Sequence, residues 1–195
     1  MTEGLRQRLS EAWDYHLQRQ VPLPPRELRF CGEEFKEDNY YLASARKEAR
    51  RLVEQFGLTA GSCVLDVGCG AGRLPIGILR EIGTIQRYVG IDVSEAHIQW
   101  CNENIGKHYP EFEFIHLNLR NDRYNPKGRS IDIDFQFPLA TSGFDIIYLF
   151  SVFTHMVAAD VGAYLQEFSR LLRPSGVIFL TAFIRDRAVP VCINP

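Results

Sequence analysis

The stretch VLDVGCGAGR, residues 64–73, decides the fold of this chain. It begins with a short apolar run typical of a buried parallel strand, which we predict over 63–67. Three glycines follow, Gly68, Gly70 and Gly72, and a helix is predicted over 72–82. Glycines are needed where a ligand approaches the backbone closely or where φ is positive. Because the start of a helix also offers free N–H groups and a positive dipole end, the pattern indicates a ligand-binding turn.

Strands and helices alternate along the rest of the chain. A helix predicted to end at Gly57 precedes the glycine turn, and Ser94 is a good N-cap for a helix over 95–105. A further helix is predicted over about 161–172, and further strands over 88–92, 112–117, 144–150 and 177–184. The alternation predicts an α/β fold: a doubly wound, Rossmann-like, mainly parallel sheet of five strands in the order 3-2-1-4-5, with helices on both faces.

The N-terminal part of the chain differs from the alternating part. Apolar residues recur at helical intervals over 3–19, and the proline-rich stretch VPLPP then breaks any helix. We therefore predict an N-terminal helical extension or lid over 1–41. The ligand-binding domain is predicted over 42–195, and it includes a long polar loop, 118–143, of a length that is usually functional.

Composition excludes several classes of protein. The net charge of −2 gives no basic field for nucleic acid, and no run of about 18 apolar residues could span a membrane. The five cysteines include no C-x-x-C pair, so neither a disulfide framework nor a metal site is expected. Since the first ten residues lack the apolar core of a signal peptide, we expect a cytoplasmic protein without a membrane or nucleic-acid partner.

Two acidic residues limit the classes of ligand that the turn could bind. Asp66 precedes the glycines and would crowd a pyrophosphate, yet it suits a ligand with a cationic amine. Asp92 ends the second strand, where a carboxylate can accept hydrogen bonds from both hydroxyls of a ribose. The glycine spacing, with Arg73 after the third glycine, also departs from the dinucleotide pattern. S-adenosylmethionine has the ammonium, the sulfonium and the ribose, and carries no phosphate.

These residues resemble the class I S-adenosylmethionine-dependent methyltransferases. The segment VLDVGCGAGRL, residues 64–74, is similar to the first motif of that family, and YVGIDVS, residues 88–94, is similar to the next. The segments FDIIYLFSVFTHM and LLRPSGVIFL resemble the motifs of the fourth and fifth strands. The resemblance covers about residues 40–190, and it implies S-adenosylmethionine as cofactor and S-adenosylhomocysteine as product.

The resemblance also implies roles for individual residues. Asp66 would help to hold the methionine end, Asp92 the ribose, and Val93 would lie against the adenine. Asn118 stands where the family often has an acid that accepts a hydrogen bond from the adenine amine. The amide oxygen of Asn118 can accept the same bond. The remaining expected cofactor contacts are Gly68, Cys69, Gly70, Gly72, Leu119, Phe150 and Ser151.

His155 is the candidate general base, because it follows the fourth strand at the sheet edge where α/β proteins bind ligands. A neutral imidazole there could take a proton from a hydroxyl, or it could simply cap a helix or pack against the cofactor. His97, His108 and His116 are expected on helix or strand surfaces, without a functional role. Asp145 is expected to fix the entry of its strand. Tyr40 and Tyr41 are expected to lie in the core, and the alternative is that they close over the cofactor.

The predicted activity is methyl transfer to the oxygen or nitrogen of a small molecule such as a sugar or secondary metabolite. An RNA methyltransferase is disfavoured by the acidic charge, and an oxidoreductase by Asp66 and Arg73. A non-catalytic cofactor-binding module remains an alternative, because the chain is too short for the C-terminal hairpin of related folds. The fifth strand would then be an exposed edge, which favours a homodimer or another partner strand. The acceptor itself is not indicated by the sequence.

Overall fold

A parallel sheet of five strands forms the centre of the molecule. The computed structural model describes residues 21–30, 32–132 and 134–182, except for the side chain of His155. The strands are β1 Cys63–Val67, β2 Arg87–Asp92, β3 Phe112–His116, β4 Phe144–Leu149 and β5 Leu172–Leu180. All four pairings are parallel, and the order β3-β2-β1-β4-β5 confirms the predicted topology.

Four helices of at least two turns accompany the sheet in the described part of the chain. They are α1 Asp38–Phe56, α2 Arg73–Glu81, α3 Glu95–Cys101, which continues as a π-helical turn Asn102–Gly106, and α4 Ala158–Leu171. Gly57 ends α1 with a φ of 70°, as predicted for a left-handed C-cap. None of these helices is both long enough and apolar enough to cross a membrane.

The sheet separates two apolar layers, as a doubly wound fold requires. One layer packs α1, α2 and α3 on the sheet around Leu52, Ile76 and Tyr88. The other layer packs α4 and the long loop around Leu65, Phe137 and Phe168. Because both faces are covered, all five residues of β1 are buried.

The structure corrects the bounds of several elements. The fifth strand begins at Leu172, which pairs with Phe144, and the pairing becomes regular again only from Val177 because the register shifts there. The strand ends at Leu180, four residues before the predicted end, Ile184. The third and fourth strands each end one residue earlier than predicted, at His116 and Leu149.

The N-terminal segment is described only in its second half. The predicted helix over 3–19 lies outside the described residues, whereas residues 26–36 form two short 3-10 turns, Arg26–Leu28 and Glu33–Lys36. Arg29 fixes this segment, because its guanidinium donates to the carbonyls of Pro24 and Lys36 and pairs with Asp38 at 2.8 Å. The segment is thereby held against the start of α1, beside the carboxyl end of the sheet.

Candidate functional site

A cavity of about 580 Å³ opens at the carboxyl ends of β1, β2 and β4. Residues 68–71 of the glycine turn form its floor, and the ends of the strands form its walls, whereas the predicted contact Gly72 does not line the cavity. The 3-10 turns of the N-terminal segment and the long loop after β3 complete the rim. Its size is that of a cofactor or drug-sized ligand site, and its place is the one that open α/β sheets use for ligands.

The glycine turn needs its glycines for two different reasons. Gly68, Gly70 and Gly72 have φ values of 76°, 52° and 79°, which L-residues with a side chain rarely adopt. A Cβ on Gly68 would also lie 2.5 Å from Val152 Cγ2, whereas a Cβ on Gly70 would meet nothing within 4 Å. Since Gly70 lines the cavity, its missing side chain leaves room for a ligand.

Asp92 connects the glycine turn to the second strand. Its Oδ2 accepts the N–H of Gly70 at 2.8 Å, and its Oδ1 accepts the N–H of Ser94 at 2.8 Å. A carboxylate can accept about four hydrogen bonds, so acceptor sites remain on both oxygens. Asp92 and its neighbour Val93 line the cavity, which places them where hydroxyl groups of a ligand can be bound.

Asp66 is a buried acid in the wall of the cavity. It is 2% exposed, and the hydroxyl of Tyr88 donates a hydrogen bond to its Oδ2 at 2.5 Å. Burial raises the pKa of Asp66 from 3.8 to about 7, against the opposing effects of the Tyr88 hydrogen bond and the positive charge of Arg73. A cationic ligand group placed beside Asp66 would favour its ionised form.

Arg73 supplies positive charge at the same end of the cavity. Its guanidinium lies over the ring of Phe150, 4.6 Å from the centroid, and over the ring of Phe35 at 5.5 Å. It also donates to Ser44 Oγ at 2.8 Å. The cavity therefore presents the carboxyl group of Asp66 and the guanidinium cation of Arg73 close together, which suits a zwitterionic amino-acid group.

Two tyrosines, Tyr41 and Tyr148, line the cavity and hydrogen-bond to neighbouring elements. Tyr41 is buried and its hydroxyl donates to the carbonyl of Ala71, while its neighbour Tyr40 is exposed. Tyr148 donates to Oε2 of the buried Glu48 at 2.9 Å, and Arg51 pairs with the same carboxylate. The prediction of a core position is thus confirmed for Tyr41 and wrong for Tyr40.

Among the other predicted cofactor contacts, some residues line the cavity and others do not. Leu119, Phe150 and Ser151 line the cavity, and Ser151 has a φ of 60°. Asn118 is exposed, and its Oδ1 accepts a hydrogen bond from Asn125 at 3.1 Å. His155 ends a short 3-10 turn, Phe153–His155, and its side chain lies outside the described atoms.

Asp145 has the structural position that the sequence predicts. Its Oδ2 accepts the N–H of Cys63 at 2.8 Å, and both of its oxygens accept from Arg173. The carboxylate thus joins the entries of β1 and β4 to the start of β5, at the end of the sheet opposite the cavity. No role in the site follows for it.

His97 is the main residue of the cavity that the sequence did not indicate. The expectation of a surface position is wrong, since His97 is 4% exposed and lines the cavity beside Asp92. The ring is covered by Phe30, whose centroid lies 5.0 Å away. A helical pattern within 95–105 could not reveal this burial, because the covering residue comes from a segment 67 positions earlier.

Comparison with known proteins identifies relatives of this site and fold. The sequence profile described as a methyltransferase domain matches residues 65–178. The chain is 34% identical over 140 residues to the sterol 24-C-methyltransferase of Eremothecium gossypii, an alignment that spans 72% of this chain and 33% of that protein. It is 25% identical over 147 residues to the ubiquinone biosynthesis O-methyltransferase of Bradyrhizobium diazoefficiens, spanning 75% and 50% of the two chains.

A solved structure supports the fold independently. The PH0226 protein from Pyrococcus horikoshii matches with a TM-score of 0.52 at 18% identity, over 86% of this chain and 64% of that one. At this identity the likeness concerns the fold. The chain spans between one third and one half of the length of the two curated relatives.

Proposed function

Because this chain belongs to the class I S-adenosylmethionine-dependent methyltransferases, we propose that it transfers a methyl group to a small-molecule acceptor. The observation that carries the proposal is the position of Asp92, whose carboxylate holds the glycine turn and also faces the cavity. This arrangement supports binding of a ribose next to a turn that carries no side chain at Gly70. The alternative of a non-catalytic cofactor-binding module uses the same residues and differs only in turnover.

The residues present fit S-adenosylmethionine. Asp92 would hold the ribose hydroxyls, Asp66 the ammonium, and Arg73 the carboxylate of the methionine end, because each ligand group then meets an opposite charge or an acceptor. Leu117 and Leu119 line the cavity on the far side of Asp92 and would flank the adenine. When bound, the cofactor supplies a methyl group that its sulfonium has already activated, so the protein chiefly has to position the acceptor.

The acceptor is proposed to be a largely apolar small molecule that carries a hydroxyl or amine. Apolar side chains that line the cavity include Phe35, Val152, Met156 and Val157. Val157 is 66% exposed at the rim, which suits an apolar group entering from solvent. The names of the two curated relatives, a sterol C-methyltransferase and a ubiquinone biosynthesis O-methyltransferase, support an apolar acceptor, and only the second supports an oxygen as the acceptor atom.

His155 is proposed as the base for such an acceptor. It follows β4 by six positions, and its neighbour Met156 lines the cavity. A neutral imidazole at this point would take the proton of a hydroxyl as the methyl group arrives. The role applies to hydroxyl and ammonium acceptors, since an acceptor that is already an anion needs no base.

A transfer assay tests the proposed function. The protein is incubated with methyl-labelled S-adenosylmethionine and a panel of apolar phenols, alcohols and amines, and labelled product and S-adenosylhomocysteine are measured. We expect transfer to at least one acceptor, and a loss of about 100-fold in kcat for His155→Ala that diminishes as pH rises and the acceptor ionises. Cofactor binding without transfer to any member of the panel would favour the non-catalytic alternative.

A further inference from the structure

We propose that His97 completes the ribose site by donating a hydrogen bond to a hydroxyl that Asp92 also binds, an inference that rests on the proposed function. The histidine is the third residue of α3, the helix that begins at Glu95, three positions after Asp92. The backbone therefore brings both side chains to the same corner of the cavity, at the carboxyl end of β2.

The imidazole ring of His97 is buried without a hydrogen-bond partner among the described residues. Both ring nitrogens, Nδ1 and Nε2, are buried, and neither has a hydrogen-bond partner among the residues that the structure describes. A buried polar group without a partner destabilises the fold, and nearly all such groups in native proteins are bonded. Since His97 lines the cavity, a ligand is the source from which its missing partner can come.

The distance between His97 and the carboxylate of Asp92 leaves room for a ligand oxygen. His97 Nδ1 lies 3.7 Å from Asp92 Oδ1, which is too long for a direct hydrogen bond. A hydroxyl oxygen about 2.8 Å from each atom fits that separation. Such a hydroxyl would donate its proton to Asp92 and accept the N–H of His97 Nδ1, which would give this nitrogen the partner that it lacks.

Aromatic residues cover the imidazole ring of His97. Phe30 lies against His97 at an interplanar angle of 52°, and its other side meets Tyr124 of the long loop at 5.7 Å. These rings shield the imidazole from solvent, and a hydrogen bond is stronger in such a weakly polar surrounding than in water. The same cover would keep water from replacing the ribose hydroxyl.

Binding calorimetry with S-adenosylhomocysteine tests the role. His97→Phe keeps an aromatic ring against Phe30 and removes both nitrogens, whereas His97→Asn keeps an N–H donor near the position of Nδ1. We expect His97→Phe to weaken binding about 10-fold and His97→Asn to retain most of the affinity. The control is His108→Phe, at an exposed histidine outside the cavity, which should bind as the wild type does.

Ligand analogues separate a hydrogen bond from packing. For the wild type, removing the 2′- or 3′-hydroxyl from S-adenosylhomocysteine should cost affinity, and for His97→Phe the same removal should cost less. In the wild type, the ¹⁵N shifts of the His97 ring should change when S-adenosylhomocysteine binds, a measurement that does not depend on whether a variant folds.

The possible results separate this inference from the proposed function. Unchanged affinity in His97→Phe, an unchanged hydroxyl dependence, or unchanged ring shifts in a wild type that binds S-adenosylhomocysteine would each overturn the role of His97 alone. A folded wild type that does not bind S-adenosylhomocysteine would overturn the proposed function and this inference together.

Discussion

At the scale of single residues, two carboxylates in one cavity have opposite environments. Asp92 accepts two backbone N–H groups, whereas Asp66 is 2% exposed and has a single hydrogen bond that the structure records, from Tyr88. Burial raises the pKa of Asp66 to about 7, so it is half protonated near neutral pH in the free protein. The two acids are therefore suited to different parts of a ligand, Asp92 to neutral hydroxyls and Asp66 to a cation.

This difference predicts how affinity depends on pH. A ligand ammonium favours the ionised form of Asp66, so affinity for S-adenosylhomocysteine should rise on the order of 10-fold between pH 5.5 and pH 7.5 and then level off. Asp66→Asn keeps an acceptor for Tyr88 and cannot ionise, so its affinity should be weaker at pH 7.5 and nearly independent of pH. Calorimetry across this range checks both; equal pH profiles would show that Asp66 does not meet the cation.

The raised pKa of Asp66 should also make stability depend on pH, in the direction opposite to that of the affinity. Because the pKa of Asp66 is higher in the folded chain than its ordinary value of 3.8, the folded state holds more protons between about pH 4 and pH 7. Its contribution to the free energy of unfolding therefore falls as pH rises through that window. Relative to the wild type, Asp66→Asn should gain thermal stability as pH rises, and a constant difference in Tm would contradict the raised pKa.

Sequence reasoning reached some residues of the cavity and missed others for a physical reason. The glycines and Asp66 and Asp92 stand at fixed positions around one strand–turn–helix unit, so local spacing predicts their meeting. His97 lies against Phe30, and Tyr41 donates to the carbonyl of Ala71, and both of these partners are distant in sequence. Contacts of this kind depend on how elements pack, which no local pattern specifies.

At the scale of elements, α1 and α2 cross at close range. A Cβ on Gly77 would lie 2.1 Å from the carbonyl oxygen of Ala45, so the two helices touch backbone to backbone there. Salt bridges from Arg46 and Arg50 to Glu81 lie along the same contact, with distances of 3.6 and 2.8 Å. Because α2 carries the end of the glycine turn, this contact fixes the floor of the cavity.

The crossing predicts opposite outcomes for two helical glycines. Gly77→Ala should lower the free energy of unfolding by about 3 kcal/mol, since the added methyl group forces the helices apart. Gly162→Ala in α4, where a Cβ meets nothing within 4 Å, should raise it by about 0.5 to 1 kcal/mol through helix propensity. Urea denaturation of both variants measures the difference, and equal effects would contradict the close crossing.

The long loop after β3 is the element that the sequence described least well. Its residues carry a bridge between Leu119 and Arg129. Its second half is fixed to α4, because Glu167 accepts the N–H of Phe137 and Arg170 donates to the carbonyls of Phe137 and Leu139. The length of the loop predicted a function, but the partners that order it lie about 30 positions away.

At the scale of the whole molecule, the carboxyl ends of the strands bring together the glycine turn, Asp92 and the residues that follow β4. The order β3-β2-β1-β4-β5 places the ribose acid on β2 next to the glycine turn after β1, with Phe150 and Ser151 after β4 on the other side. The alternation of strands and helices predicts this order, because right-handed crossovers leave few other arrangements. Pairing of β5 with a second chain stays a prediction, which chromatography at high concentration would test.

The most direct test of the central claim, that the cavity over the glycine turn binds S-adenosylmethionine, is calorimetric titration with S-adenosylhomocysteine of three proteins. Substituting Asp92 would also loosen the turn that it holds, so the better variant is Gly70→Ala, with Gly57→Ala as its control. Both glycines have positive φ and open space around a Cβ, so both variants should lose about 1 kcal/mol of stability.

Only Gly70 lies in the cavity, whereas Gly57 caps a helix outside it. We expect the wild type and Gly57→Ala to bind S-adenosylhomocysteine with a Kd on the order of 10 μM or tighter, and Gly70→Ala at least 10-fold more weakly. Absence of binding by the folded wild type, or equal affinity of the two variants, would contradict the account.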